Sequence, residues 1–208
     1  MKQQERRTWA EISLPNLEHN YRALRALLPE GCRFLGVVKA DAYGHGAVPV
    51  AQKLEEWGAD YLAMACLEEA AELRQAGVRA PILILGVTLP RYAGELLAWD
   101  AAQAVGDLET GRALSAAAVA AGRTLTIHVK ADTGMSRLGF LCDEAHLDHA
   151  AEEIAALCAL PGLRAEGIFT HFSDADGCEA YTMRQFTRFL DLLDKLSARG
   201  VTFEIRHC

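Results

Sequence analysis

The sequence predicts an α/β protein built as a (β/α)8 barrel of the TIM type, and three observations support this fold. Short apolar runs, typical of strands buried on both faces, alternate with longer segments of helical periodicity. The connections between them are short, as in parallel βαβ units. No low-complexity linker divides the chain. The predicted strands are Phe34–Val38, Tyr61–Ala65, Ile82–Leu85, Ala102–Val105, Thr124–Val129, Ala165–Thr170 and Phe203–Arg206.

This count of strands is one short of a closed barrel. An eight-stranded barrel closes only with its last strand, and an open edge would leave backbone groups unpaired. We therefore expect either a barrel that is incomplete at its C-terminal end, with about seven strands present, or one strand that the pattern does not reveal.

The helical segments between these strands are amphipathic, and several have recognisable ends. The first, Leu14–Leu28, repeats apolar residues at helical spacing; Ser13 can cap it and Pro15 suits its first turn. The others are Leu67–Ala76, Leu108–Ala121, Glu144–Leu157 and Glu179–Arg199, three of which stop at a glycine. Thr8–Ile12 alternates weakly like a strand. We expect residues 1–12 to pack outside the barrel and residues 13–208 to form it.

Composition excludes several classes of protein. The chain has 208 residues, 51% of them apolar, and a formal net charge of −7. This charge gives no basic surface for nucleic acid or for a membrane. The six cysteines form no close pair that would indicate a disulfide scaffold or a zinc site. The chain also has no apolar stretch typical of a secretory signal or a membrane span, so we expect a cytoplasmic protein.

The segment 36–46, GVVKADAYGHG, places Lys39 directly after an apolar strand and Tyr43 in a glycine-flanked loop. In a barrel the carboxyl ends of the strands form the active-site face. Partial burial there favours the neutral amine of a lysine, which suits covalent attachment of a carbonyl cofactor. From the residues alone, an ordinary surface lysine at a strand end remains open.

Three further strand ends carry polar side chains. In segment 127–140, Lys130 lies on a strand and Arg137 lies in the loop that follows, where its guanidinium could bind a carboxylate or a phenolate. His171 follows another strand, and a flat ring there could stack on an aromatic cofactor. His207 ends the last strand. Loop or structural roles remain open for all four. Asp174 and Asp176 lack further ligands at suitable spacing, so we predict no metal site.

Four motifs, in this order, resemble those of alanine racemases, which are fold-type III pyridoxal-phosphate (PLP) enzymes: VVKADAYGHG, KADTGMSRLGF, THFSDAD and FEIRHC. The resemblance spans nearly the whole chain. It implies that Lys39 carries PLP and acts as a base, and that Tyr43 contacts the phosphate. It implies that Arg137 contacts the cofactor's phenolic oxygen and the substrate carboxylate, with Lys130, often carbamylated, orienting it. His171 would pack on the cofactor ring, and His207 would precede an Asn-Ser pair that holds the phosphate.

The resemblance also implies an activity and an assembly. The full-length enzyme would convert L-alanine to D-alanine for peptidoglycan precursors, as a head-to-tail homodimer, with a tyrosine of a C-terminal β-domain as the second base. We expect that domain to lie beyond this chain, and these 208 residues alone not to racemise alanine. The alternatives are a racemase for serine or another amino acid, a PLP-binding barrel without catalysis, and an inert fragment.

Overall fold

A computed structural model describes residues 8–208 and shows one curled sheet of parallel strands. Its order is β1-β2-β3-β4-β5-β7-β8, and the two-residue β6 pairs with β5 beside this path. The strands are β1 Leu35–Val37, β2 Tyr61–Met64, β3 Ile82–Ile84, β4 Ala101–Val105, β5 Leu125–Asp132, β6 Phe140–Leu141, β7 Leu163–Phe169 and β8 Ile205–His207. Each of the seven predicted strands is present, and the half-barrel they form confirms an incomplete TIM-like barrel.

The sheet follows chain order from one edge to the other, as successive βαβ units require. β1 pairs with β2 and β7 pairs with β8, both in parallel. Within residues 8–208 no ladder joins β8 back to β1; a cavity of about 300 Å³ lies between them, lined by residues of both strands and by Tyr61 and His128. At the amino ends of the two strands, an Arg33–Glu204 ion pair of 2.7 Å bridges the gap.

Helices cover the outer face of the sheet. They are α1 Leu14–Ala26, α2 Lys39–Gly44, α3 Ala47–Trp57, α4 Leu67–Gln75, a 3-10 turn at Pro90–Tyr92, α5 Ala93–Ala98, α6 Leu108–Ala120, α7 Leu147–Cys158 and α8 Glu179–Ala198. The five predicted helices are confirmed, and the Asn16 amide donates to Ser13 Oγ at 3.3 Å, as the cap requires. None of the helices described between residues 8 and 208 is long and apolar enough to span a membrane.

The N-terminal segment differs from its prediction. Residues 1–7 lie outside the part of the chain that the structure describes. Thr8–Ile12 forms neither a strand nor a helix, so the reading of a weak strand there is wrong. The segment is too short for its pattern to indicate a strand, since five residues of loose alternation occur by chance. Whether residues 1–12 pack outside the barrel stays a prediction.

The interior of the curl separates an apolar half from a polar half. On β2, β3 and β4 the inner cluster consists of Tyr61, Leu83, Ala102 and Ala104. On β5, β7 and β8 the buried or half-buried polar residues include His128, Lys130, Glu166 and His207. Ionisable side chains are therefore concentrated on the side of the barrel that β5, β7 and β8 form.

Candidate active site

The predicted site residues lie at or just beyond the carboxyl ends of the strands. Lys39 follows β1, Lys130 lies near the end of β5, His171 follows β7, and His207 ends β8. Because parallel strands present their carboxyl ends on the same side, these side chains share one mouth of the half-barrel. Arg137 lies in the long loop after β5, at the same mouth of the half-barrel.

Lys39 opens a left-handed helical turn. The four residues Ala40–Tyr43 have φ between 51° and 55°, a conformation that L-residues adopt at a cost. The carboxylate of Asp41 accepts a hydrogen bond from the Ala47 amide at 2.6 Å, and Glu69 accepts one from the Ala40 amide at 2.8 Å. These bonds hold the turn from both ends.

This turn sets the exposure of Tyr43. Its side chain is 62% exposed, and no group within residues 8–208 forms a hydrogen bond to its hydroxyl. Lys39 Nζ likewise forms no hydrogen bond with any of the described residues. Both polar ends are thus free to bind a ligand at the mouth.

The loop that carries Arg137 is built on the buried carboxylate of Asp132. Its Oδ1 accepts hydrogen bonds from the amides of Gly134 at 3.0 Å and Ser136 at 2.9 Å. Gly139 closes the loop with φ 120°, and a Cβ there would lie 2.7 Å from the carbonyl oxygen of Lys130. The loop is therefore anchored while the side chain of Arg137 stays exposed.

Lys130 is 7% exposed, and its Nζ lies 5.0 Å from the centre of the Phe169 ring. Its only hydrogen-bond acceptor within the described residues is the carbonyl of Ala131, at 3.2 Å. Burial lowers the pKa of Lys130 to about 8, with the nearby charge of Arg137 acting in the same direction. About a tenth of the amine is therefore neutral at pH 7, and the neutral form is the one that reaction with carbon dioxide would require.

The pKa of His171 is affected by the positively charged side chains at the mouth. Partial burial lowers the pKa of His171, and the positive charges of Lys130, Arg137 and Lys39 lower it further. Because the effect of a charge decreases with distance, each of the three cations lies near enough to His171 to lower its pKa.

His207 faces inward. Its ring stacks on Phe169, with centroids 4.7 Å apart and planes 9° apart. Its Nε2 lies 2.9 Å from Nδ1 of His128, whose Nε2 lies 3.2 Å from Glu166. Sequence reasoning missed His128 and Glu166; the available signal was two ionisable residues inside otherwise apolar strands.

A larger cavity, about 370 Å³, lies at the opposite, amino-terminal ends of the strands and is rich in arginine. Arg74 there donates to the backbone carbonyls of Trp99, Val78, Ala80 and Asp100, and Arg164 pairs with Glu166. These side chains are engaged in holding loops and strands together. The chemistry at the carboxyl ends therefore makes the better candidate site.

The donor set at the mouth fits PLP. The cofactor carries an aldehyde, a phenolic oxygen and a phosphate on a flat ring. A free lysine, a free phenol, an exposed guanidinium and a histidine ring match those groups in charge and shape.

Comparisons with known proteins agree with this geometry. The family model described as "Alanine racemase, N-terminal domain" matches residues 12–208. The alanine racemase of Desulforamulus reducens is 45% identical over 96% of this chain and 53% of its own length. The chain thus spans about half the length of the curated relatives it matches.

Solved structures give the same result. An alanine racemase from Clostridium difficile 630 superimposes with a TM-score of 0.91 at 41% identity, covering 96% of this chain and 54% of that one. A histidine racemase from Leuconostoc mesenteroides also superimposes, with a TM-score of 0.78 at 29% identity, covering 92% of this chain and 50% of that one. The chain therefore belongs to the family of alanine racemase N-terminal domains.

Proposed function

We propose that the protein containing this chain is a PLP-dependent racemase that interconverts L- and D-alanine. The observation that carries this proposal is the joint placement of Lys39, Lys130, Arg137 and His171 at one mouth of the half-barrel. The similarity of the chain to alanine racemases supports the choice of reaction and substrate.

Each residue has a role in the proposal. When bound, PLP withdraws electrons and acidifies the α-C–H of the amino acid. Lys39 Nζ would hold the cofactor and exchange the proton on one face. Tyr43 would donate to the phosphate. Arg137 would orient the substrate through its carboxylate, because a guanidinium binds that group with two parallel hydrogen bonds.

Three further roles shape the site. Lys130, carbamylated through its neutral amine, would orient the Arg137 guanidinium. His171 would pack on one face of the cofactor ring. His207 would border the phosphate end. We assign the proton on the opposite face to no residue of this chain; a head-to-tail homodimer, in which a partner supplies that base, completes the proposal. A cytoplasmic enzyme that supplies D-alanine for peptidoglycan is consistent with it.

The test is conversion of L- to D-alanine by the intact protein loaded with PLP. Lys39→Ala should abolish turnover, whereas Lys53→Ala should leave it unchanged, because Lys53 lies on α3 and pairs with Glu56. A colourless protein, or turnover retained by Lys39→Ala, would refute the proposal. Visible absorption without turnover would instead indicate a PLP-binding barrel that performs no racemisation.

A second candidate is racemisation of another amino acid. The histidine racemase among the structural neighbours shows that this fold accommodates a different substrate in a protein of similar structure. Comparing kcat/KM for alanine, serine and histidine in the same assay separates the two candidates.

A further inference from the structure

A chain of polar side chains crosses the interior of the half-barrel from β2 to β8. The Tyr61 hydroxyl donates to Glu166 Oε2 at 2.9 Å, and His128 Nε2 lies 3.2 Å from the same oxygen. On its other side, His128 Nδ1 lies 2.9 Å from His207 Nε2. His128 is fully buried. The proposed reaction uses neither Tyr61 nor Glu166 nor His128, so the role of these three residues needs another explanation.

Glu166 determines the direction of the hydrogen bonds in this row of side chains because it is an ionised carboxylate. Burial raises the pKa of Glu166, but hydrogen bonds from Tyr61 and His128 and the charge of Arg164 outweigh burial and lower it. Arg164 lies 2.8 Å from the second oxygen, Oε1. Burial and the charge of Glu166 raise the pKa of Tyr61, so the phenol keeps its hydrogen and donates it.

The ionised carboxylate dictates where the hydrogens of His128 lie. A carboxylate only accepts hydrogen bonds, so His128 Nε2 must carry a hydrogen. Burial lowers the pKa of His128, so its ring carries one hydrogen rather than two. Its Nδ1 therefore presents a lone pair toward the next ring.

The lone pair on His128 Nδ1 in turn determines which nitrogen of His207 carries a hydrogen. Facing a lone pair, His207 Nε2 must be the donor of the bond between the rings. Burial lowers the pKa of His207 to about 3, and the positive charge of Lys130 acts in the same direction. The second nitrogen, Nδ1, is then left without a hydrogen.

We propose that Glu166 and His128 are positioning residues that hold His207 in the tautomer with its hydrogen on Nε2, so that Nδ1 acts only as a hydrogen-bond acceptor. The charged and titratable groups that act on the two rings are Tyr61 on β2, Lys130 on β5, and Glu166 with Arg164 on β7. Both cations disfavour a second hydrogen on the rings.

The backbone is built around this arrangement. The register of β5 against β7 shifts between Ile127 and His128, where the pairing passes from Ala165 to Gly167. A Cβ on Gly167 would lie 2.5 Å from His128 Nδ1. The irregular register and the missing side chain together leave room for the imidazole in the position that reaches both neighbours.

His207 ends β8, so a consequence of this tautomer would concern the site at the carboxyl ends of the strands, and it rests on the proposed function. Lys39, Lys130 and Arg137 already supply positive charge there for an anionic cofactor. A locked acceptor on His207 would add a site for an ammonium or guanidinium donor without adding charge.

The tautomers can be read directly by long-range ¹H–¹⁵N correlation spectroscopy of the protein labelled with [¹⁵N]histidine. The protonated and lone-pair nitrogens of a neutral imidazole have widely separated shifts, and His207→Asn identifies the signals of His207. We expect both His128 and His207 to carry the hydrogen on Nε2 at neutral pH. A hydrogen on Nδ1 of His207, or a doubly protonated ring, would overturn the inference.

A set of variants tests the role of the carboxylate. In Glu166→Gln the side-chain amide can donate to His128 Nε2, so the Nδ1–H form of both rings should rise from undetectable to a measurable population. Tyr61→Phe keeps the carboxylate and should leave the tautomers unchanged; so should Glu204→Gln, which removes an exposed carboxylate. A Glu166→Gln spectrum identical to that of the parent removes Glu166 from this role. If Glu166→Gln fails to fold, the parent spectrum still tests the inference, because a hydrogen on Nδ1 of His207 overturns it.

Failure of this inference differs from failure of the proposed function. Covalent labelling of Lys39 by PLP involves no member of the polar chain. Labelled Lys39 with the opposite tautomer of His207 refutes only the inference, and the stated tautomers without labelled Lys39 refute only the function.

Discussion

The left-handed turn after Lys39 makes a quantitative prediction, and Ala40→Gly is the change that tests it. Ala40 has φ 52° and an exposed side chain. Its methyl group therefore contributes little packing, and the substitution mainly relieves the cost of a left-handed conformation. For an L-residue that cost is about 1–2 kcal/mol.

Glycine also loses more freedom on folding than alanine does. That loss is about 0.5–1 kcal/mol, so we expect Ala40→Gly to raise the free energy of unfolding by about 0.5–1 kcal/mol. The matched control is Ala116→Gly, which changes another exposed alanine, inside the right-handed helix α6. There the same change should cost about 1 kcal/mol.

The assay is denaturant unfolding of the parent and both variants. The midpoint should move up for Ala40→Gly and down for Ala116→Gly, with equal slopes, because neither change alters the surface exposed on unfolding. If Ala40→Gly destabilises the protein as much as Ala116→Gly does, the turn is not left-handed and the account of how Lys39 is presented is wrong.

Three further predictions concern the site and its support. Arg137→Lys should lower kcat/KM about 10- to 100-fold, the loss expected for a charge-assisted hydrogen bond worth about 1.5–3 kcal/mol, while PLP affinity changes less; unchanged turnover would make Arg137 a loop residue only. Gly167→Ala should destabilise the protein by about 1–3 kcal/mol in denaturant unfolding, because its Cβ meets the His128 ring; a neutral result would contradict that contact. The folded-state pKa of His207, about 3, lies below the ordinary value of 6.5, so its contribution to stability is present above pH 6.5 and lost as pH falls toward 3. His207→Gln should reduce that pH slope by about 1.4 kcal/mol per unit, and equal slopes would show an exposed ring.

The strands and most helices could be predicted because burial leaves a strong pattern. A parallel strand covered on both faces is a short apolar run, and Ile82–Ile84 or Leu62 could hardly lie elsewhere than in a core. Helix α3 escaped because Pro49 interrupts its first turn, where proline is tolerated. Helix α5 has only six residues, too few for a period to show.

The candidate site could be predicted only in part. Lys39 and His171 follow apolar runs, and that local signal is visible in the sequence. The left-handed turn is not, because none of its four residues, Ala40 to Tyr43, is a glycine that would mark a positive φ. The contact of Tyr61 with Glu166 joins residues 105 positions apart, so only the folded barrel brings them together.

The central claim is that Lys39 is the residue that binds PLP covalently. Borohydride reduction of the PLP-loaded protein, followed by proteolysis and mass spectrometry of the peptides, tests it most directly. We predict that the pyridoxyl label lies on Lys39 and that Lys39→Ala takes up none. A label on Lys130 or Lys53, or undiminished labelling of Lys39→Ala, would contradict the account.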